Sequence, residues 1–481
     1  MRPGPTNSLA DVSGLRVGHA QRAGGGHLTG TTVVLAPPSG AVAGVDVRGA
    51  APGTRETELL DPRNLVSRVH AVVLSGGSAY GLSAACGVMD RLADAGIGYP
   101  VAGGVVPIVP AAVIFDLGRG GTFRAVPDAT FGAAAYDAAV ASDGAFTSGG
   151  GVASDGAFTS DGAFTSDGAV ASGGGVPLGG TAPLTPSLPG AATPDGEVAA
   201  LPPLAAGVPL GRRKRKGSTR GGGPPLSGAP NGGAVAPGTA RASHGGMAAP
   251  GTGHAPHGDA VAPGAARSSH SEAVVSGTAG GSHGGAVAPG TASGSIGAGT
   301  GARAGGLAGG VGTASVVLAD GTTVAALVVA NPVGSVLDPR DGTVAGARYG
   351  LPGEFDYLRP PLQEEIDAWR PENAPSFNTT IGVVATDRTL TKAQCGKLAA
   401  VAHDGLARAI RPAHTMTDGD TIFALATCAR PEPDHEALQE ILAAGADVFS
   451  RAIAHAVLAA TGRDDAPAYL DVFPSALRKR S

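Results

Sequence analysis

Aromatic side chains are scarce in this chain: 4% of residues, with a single tryptophan, Trp369. Yet 42% of residues are hydrophobic, too many for a chain disordered throughout. The two facts are compatible only if the composition is uneven along the sequence. Cysteine is just as scarce. Cys86, Cys395 and Cys428 lie far apart and lack metal-ligand spacing, which argues against a disulfide framework or a zinc site and makes a reducing cytoplasm the expected location. Long apolar runs are missing too. None approaches the roughly 18 consecutive residues of a transmembrane helix, and the opening MRPGPTNSLADVSG has no apolar stretch after its arginine of the kind a signal peptide needs. No membrane association is therefore expected. The net charge of −5 and pI near 6.2 give no global electrostatic reason to bind nucleic acid.

What the chain has in excess is glycine and proline, 80 and 38 of 481 residues, at the edge of low complexity. The excess is local. SDGAFTS occurs at Ser142–Ser148, Ser154–Ser160 and Ser160–Ser166, and AVAPG begins at Ala234, Ala260 and Ala286, with His244 and His270 in the same register. A solenoid repeat must bury an apolar face. These units offer only Ala, Val and Pro between glycines, too little to offset roughly 1–2 kcal/mol per residue of backbone ordering. Residues 141–294 read as a disordered, repeat-expanded insertion. The basic run Gly211–Arg220 inside it (GRRKRKGSTR) reads as a solvated charge cluster rather than a nucleic-acid or targeting patch.

Outside the insertion the sequence reads as α/β. Thr31–Leu35 and His70–Leu74 have β character, and after the second, SGGSAYG (Ser75–Gly81) opens a helical pattern of Leu82, Cys86, Met89 and Leu92 with Gly96 as its stop. Past the insertion, Ala314–Leu318 and Thr322–Gly334 look like adjacent strands joined by ADG, and Asn378–Thr386 and Thr421–Thr427 like two more. Between these last two, Leu398, Ala402, Leu406 and Ala409 recur at helical spacing behind a Thr391/Gln394 capping box. A last helix is expected from about Asp434 to Ala460. The domain organisation is thus 1–140 as the first part of one domain, 141–294 as the insertion, and 295–481 as the remainder, divisible at 378/379.

The common catalytic motifs are absent: no G-x-S-x-G elbow, no P-loop, no H-E-x-x-H. GAGTGARAGG (Gly297–Gly306) imitates a dinucleotide loop but follows no strand and precedes no helix. SGGSAYG is either a turn that needs glycines or a strand–helix junction whose amides hold an oxyanion or carboxylate. ENAPSFNTTIGVVAT is the most informative segment. In the plain reading Asn378 ends a turn and the threonines suit a strand edge. In the sharper one the chain cuts itself at Asn378–Thr379 and frees a threonine whose α-amine, titrating near 7.7–8.0, accepts the proton of its own hydroxyl. Asp418 and Asp420, two apart before a strand, face one side and could orient the amine or the hydroxyl; a turn or helix cap is the plain alternative. Asn331, at the end of an apolar strand, offers an amide to an oxyanion.

Together these segments resemble the DmpA-type family of L-aminopeptidase/D-esterases, β-peptidyl aminopeptidases and nylon-oligomer endohydrolases. The resemblance runs through nearly all of the chain outside 141–294, on Asp46–Pro62, Val69–Leu82, Gly297–Ala302, Val328–Pro339, Asn378–Asp387, Ala402–Ile410 and Asp418–Thr427. It implies an N-terminal-nucleophile-like αββα sandwich, made as a precursor that cuts itself into an alpha chain ending at Asn378 and a beta chain, 379–481. It implies Thr379 as nucleophile, Asn331 as the active-site asparagine and Asp418 with Asp420 as the acidic pair. It further implies a small peptide or amide substrate, no metal or organic cofactor, and a homo-oligomer of processed protomers, tetrameric or larger. Two departures stand out. The lysine that nylon-hydrolase-type members carry after GAGTGA is missing, with Gly306 and Ala308 in its place and Arg303 the only cation there. Phe115 stands where a tyrosine is expected. The leading expectation is an aminopeptidase or amidase working through an acyl-enzyme. An endo-amidase or acyltransferase on the same site, or a catalytically weakened scaffold homologue, stays open.

Overall fold

A computed structural model of the chain describes residues 1–142, 292–371 and 377–478. The chain divides into two units, Met1–Ser154 with Ser268–Ser481, and Asp155–Arg267. The second lies wholly outside the described residues, as does the expected insertion 141–294 except for its first two and last three residues, and so does the basic run Gly211–Arg220.

In chain order the first part holds β1 (Arg16–Gly24), β2 (His27–Leu35), β3 (Ala41–Val47), β4 (Thr54–Arg55), β5 (Arg68–Val69) and β6 (Ala71–Ser75). Helix α1 (Ala84–Asp94), hairpin β7 (Tyr99–Val101) and β8 (Gly104–Val106), β9 (Ala111–Val113) and α2 (Ala129–Ala141) follow. From residue 292 come β10 (Arg303–Ala304), β11 (Leu307–Ala308), β12 (Gly310–Val317), β13 (Thr323–Ala330), α3 (Gln363–Ala368) and β14 (Ile381–Arg388). Then α4 (Lys392–Ala409), β15 (Thr421–Arg430), α5 (His435–Leu458) and α6 (Tyr469–Val472) complete the fold.

Two sheets carry it. One has the order β12-β13-β14-β15-β3-β5, the other β1-β2-β6-β9-β4. Strands β3 and β5 precede residue 142 and β12–β15 follow 292, so the two parts of the sequence share one sheet. The alternation of side chains along each strand sorts them into layers. In β14, Ile381, Val383 and Ala385 face inward with Leu327, Phe423, Val34 and Leu74 of both sheets. Val384, on the opposite face, packs with Leu398, Ala402 and Leu406 of α4 and Val448 and Phe449 of α5. On the other sheet, Val33, Leu35 and Val73 pack with Val88 of α1 and Phe131 and Ala135 of α2. Helices cover the outer face of each sheet, which makes the four-layer αββα sandwich that the resemblance implied.

Local signals placed the elements well. The Thr391/Gln394 capping box is present in both directions at the start of α4. Asp434 caps α5 through a 2.9 Å bond from Ala437 N, and Gly96 takes a positive φ of 69° just past α1. Close packing of α5 on β12 depends on Gly312, where a Cβ would stand 2.0 Å from the Ala452 carbonyl oxygen. α5 is long and apolar enough to cross a bilayer, with a mean hydropathy of 1.5 over its most apolar stretch, but 78% of that stretch is buried inside the fold. A search for unbroken apolar runs passes over it because Glu440, Asp447 and Arg451 interrupt the sequence.

Candidate functional site

The site forms at one end of three neighbouring strands of a single sheet. β13 finishes at Ala330, so Asn331 is the first residue beyond it. β14 and β15 run parallel and begin at Ile381 and Thr421, so Asn378–Thr380 and Asp418–Asp420 lie side by side just before them. Backbone bonds lock this junction: Asn378 N to Thr417 O at 3.1 Å, Thr379 N to Asn331 O at 2.9 Å and Thr421 N to Thr380 O at 3.2 Å. From the other side, Ala51 N donates to Asp418 O at 2.8 Å and Arg48 N to Asp420 O at 3.0 Å. The segment DVRGAAPG is therefore a brace for the acidic loop. Asn331, Asn378, Thr379, Asp418 and Asp420, distant in sequence, are all buried here.

The Thr379 hydroxyl donates to the carbonyl oxygen of Asn378, a very short contact. The same Oγ1 accepts from Gly419 N at 3.2 Å. Gly419 has no room for a side chain: a Cβ would lie 2.5 Å from Ala51 O and 3.0 Å from Thr379 Oγ1. The glycine between the two aspartates thus brings its amide to the Thr379 hydroxyl, a role the DGDT motif did not announce.

The aspartates work around the hydroxyl, and their carboxylates do not share a partner. Asp420 Oδ1 accepts from Thr380 N at 2.8 Å, and its Oδ2 from the backbone N and Nδ1 of His414 at 3.1 and 2.8 Å. Asp418 Oδ2 accepts from Thr415 N and Oγ1 at 3.0 and 2.6 Å, while its Oδ1 takes a longer 3.4 Å bond from Val333 N. Among the described residues neither carboxylate bonds to Thr379 Oγ1. Asp420 fixes the amide next to Thr379, and Asp418 fixes the turn at Thr415 and the loop at Val333 instead. His414, held in the left-handed region at φ 57°, was missed by sequence reasoning, which had no reason to prefer it over the other histidines.

Asn331 has the most constrained side chain. Its Oδ1 accepts from Arg119 Nη1 at 2.5 Å and from Arg303 N at 3.0 Å, and its Nδ2 donates to Phe115 O at 3.3 Å. Arg119 also donates to Gly301 O at 2.7 Å. Burial pushes its guanidinium down to about 10, a shift that Asp116 opposes, so it stays charged at neutral pH. No motif flagged Arg119, because only the fold carries it across to Asn331. The loop after GAGTGA has no room for the missing lysine at Gly306, whose φ is 93° and whose Cβ would stand 2.6 Å from Pro371 Cβ. Ala308 is buried in β11, and the Arg303 side chain turns to Asp465, 4.0 Å away.

The SGGSAYG loop turns out to be the glycine-requiring turn. Gly76 N donates to Gly30 O at 2.9 Å, Gly77 N to the Asp116 carboxylate at 2.6 Å and Ser78 N to Ile114 O at 2.9 Å. These three amides are spent inside the fold, while Ser78 and Ala79 of the same loop line the cleft over Thr379. Asp116 also accepts from Thr29 Oγ1 at 2.6 Å, and burial pushes its carboxyl above the usual range.

A cleft of about 390 Å³ opens over the Asn378–Thr379 bond. Ala51, Ser78, Val113, Phe115 and Thr417 are among its walls, and no ionisable side chain lines it among the described residues. Phe115 has no hydroxyl to offer there; its ring packs 5.8 Å from that of Phe377.

Residues 7–160 and 261–466 match the model of peptidase family S58. An uncharacterized aminopeptidase of Mycobacterium leprae is 36% identical over 98% of this chain and 96% of its own length. Among solved structures, a β-aminopeptidase of a Burkholderia species aligns with a TM-score of 0.52 at 17% identity, over 100% of this chain and 96% of that one. The L-aminopeptidase D-Ala-esterase/amidase of Ochrobactrum anthropi, described as a variant of the Ntn-hydrolase fold, aligns with a TM-score of 0.51 at 16% identity, over 99% and 96%. At such identities the likeness gives the fold alone, an Ntn-hydrolase sandwich.

Proposed function

The chain belongs to peptidase family S58, a hydrolase of peptide or amide bonds on the Ntn fold, and on that premise we propose that it makes its own nucleophile by cutting the Asn378–Thr379 bond. One observation carries the proposal: the Thr379 hydroxyl, whose oxygen accepts from the Gly419 amide, is hydrogen-bonded to the carbonyl oxygen of the Asn378–Thr379 bond, so the nucleophile and its target group are held together. Attack of Oγ1 on the Asn378 carbonyl carbon forms an ester. The C–N bond breaks as the hydroxyl proton passes to the departing nitrogen, which becomes the α-amine of Thr379. Water then hydrolyses the ester, leaving an Asn378 carboxylate and a free threonine.

The residues that hold the precursor suit the next reaction. Thr379 N already donates to Asn331 O at 2.9 Å, so the new amine stays beside its own hydroxyl and takes its proton as that oxygen attacks a substrate carbonyl. Asn331 Nδ2 stabilises the oxyanion, Gly419 N–H steadies Oγ1, and Asp418 and Asp420 keep the two backbone segments in place. The amine, now protonated, returns the proton to the leaving group, and water releases the acyl-enzyme. The substrate class is a small peptide or amide, and the working form is a homo-oligomer of processed protomers.

A second reading, an endo-acting amidase, is favoured by the lining of the cleft. The walls among the described residues are uncharged, which suits an uncharged acyl group better than an ammonium group, whose desolvation is costly. Rates on paired substrates with a free or an acetylated amine discriminate the two readings.

The main test is intact mass. Wild type should yield a chain running from Thr379 to Ser481, and Thr379→Ala should stay whole. A Thr379→Ala variant that splits like wild type refutes the mechanism.

A further inference from the structure

We propose that Arg119 is the positioning residue of this reaction: its guanidinium fixes and polarises the Asn331 carboxamide so that Nδ2–H is offered to the carbonyl oxygen that becomes negative. This rests on the reading above, in which Asn331 serves the oxyanion. A carboxamide has two nearly identical ends, told apart only by their partners. On one end of Asn331 two donors converge, Arg119 Nη1 at 2.5 Å and Arg303 N at 3.0 Å, so that end is the oxygen. A flipped amide would set its NH2 against a guanidinium and a backbone N–H, two donor–donor clashes in a fully buried position.

The orientation that remains sends Nδ2 to Phe115 O at 3.3 Å, the longest of the three bonds, and Phe115 is a wall of the cleft over Thr379. That bond is the easiest to share with a ligand oxygen. Arg119 is itself anchored on Gly301 O at 2.7 Å, and the charges of Asp116, Arg303, Arg463 and Asp465 all act on it. A permanent cation on the amide oxygen draws electron density from the nitrogen and makes its N–H a stronger donor toward a developing oxyanion. An arginine cannot serve as a base at neutral pH, so the contribution is electrostatic and the proton transfers stay with the Thr379 amine. The loop after GAGTGA has no space at Gly306 for a cationic side chain. The cation on Asn331 comes instead from the loop that follows β9, on the far side of the 141–294 segment in sequence.

The test uses the full chain with Arg119→Met, Arg119→Lys and Arg119→Ala, reading both the rate of chain splitting and steady-state amide hydrolysis. Arg119→Met should lower kcat by about 10²–10³-fold while KM changes little, because the donor matters mainly in the transition state. Arg119→Lys should recover roughly tenfold of that loss. Millimolar guanidinium should revive Arg119→Ala, and equal urea should not. The proposal is overturned if Arg119→Met turns over like wild type, or if its loss is restored by neither lysine nor guanidinium, which would make the residue purely structural. Asn331→Ala separates this from failure of the underlying reading. If Asn331→Ala splits and turns over normally, the oxyanion role itself is wrong; if Asn331→Ala is inactive but Arg119→Met is normal, only the present inference falls.

Discussion

Replacing Asp420 with alanine should cost more stability than most single changes in this chain, and the size follows from its bonds. The carboxylate is 2% exposed and takes three hydrogen bonds, from Thr380 N at 2.8 Å, His414 N at 3.1 Å and His414 Nδ1 at 2.8 Å. Each orphaned buried donor costs about 1–3 kcal/mol. His414 is partly exposed and can turn its ring to water, which leaves the two backbone amides as the main loss. The expected penalty is roughly 2–5 kcal/mol. Asparagine should be intermediate. Its oxygen can still accept from Thr380 N, but its NH2 then faces the His414 amide, another donor. The measurement is urea unfolding in a Thr379→Ala background, so that every variant is compared as one unprocessed chain. A parallel series with Thr379 intact follows the rate of splitting. Asp420→Ala within about 0.5 kcal/mol of its parent, the range of an ordinary surface change, would refute the idea that this carboxylate holds the backbone beside Thr379. Asp420→Ala that is destabilised yet splits at the wild-type rate would leave it a purely structural group.

Two further outcomes are expected. Arg451 is 1% exposed and reaches the Glu354 carboxylate at 2.7 and 2.9 Å, Ser315 O at 3.0 Å and Asn7 Oδ1 at 2.7 Å; Arg451→Met removes the cation from Glu354, which keeps only Asn7 Nδ2, Leu351 N and His455 Nε2, and should cost about 2–4 kcal/mol by urea unfolding, whereas a loss under about 1 kcal/mol would contradict the network's role. Burial pushes His19 down to about 4, so it is neutral in the folded chain at neutral pH, while unfolded histidine titrates near 6.5. A group whose folded value is lowered gives its full stability above the unfolded value and loses it as pH falls through the window between them. Wild type should therefore weaken between pH 6.5 and 4, by roughly 2–3 kcal/mol from this site, and His19→Asn should flatten that slope in a urea series against pH; an unchanged slope would exclude His19 as a source.

The elements were legible where local signals agree with burial. The α4 capping box and the Gly96 stop appear in the structure where the sequence put them, and the apolar runs read as strands cover β13 and most of β14, because each signal depends on residues close together in sequence. The SGGSAYG loop was undecided in sequence, since exposed amides and spent amides need the same glycines. The structure accounts for the Gly77 amide, which the Asp116 carboxylate takes. Likewise the aspartates could be named as a pair, but their partners, Thr380, His414, Thr415 and Val333, depend on how three strand ends converge. α5 escaped a search for apolar runs because a buried helix tolerates charges such as Arg451 when the fold supplies their partners.

By itself the sequence placed β2, β6, β12–β15, the helices α1, α4 and α5 and the polar residues at several of their ends, since periodicity, caps and short motifs are properties of neighbouring residues. The tertiary structure alone decided what those residues touch. It set the Gly419 amide on the Thr379 hydroxyl, moved the aspartates from the hydroxyl to the backbone around it, and brought Arg119 to Asn331 from a loop with no catalytic motif. Such contacts join segments from 40 to 212 residues apart, and hydrogen bonds of 2.5–3.2 Å are fixed only when packed sheets hold both partners in place.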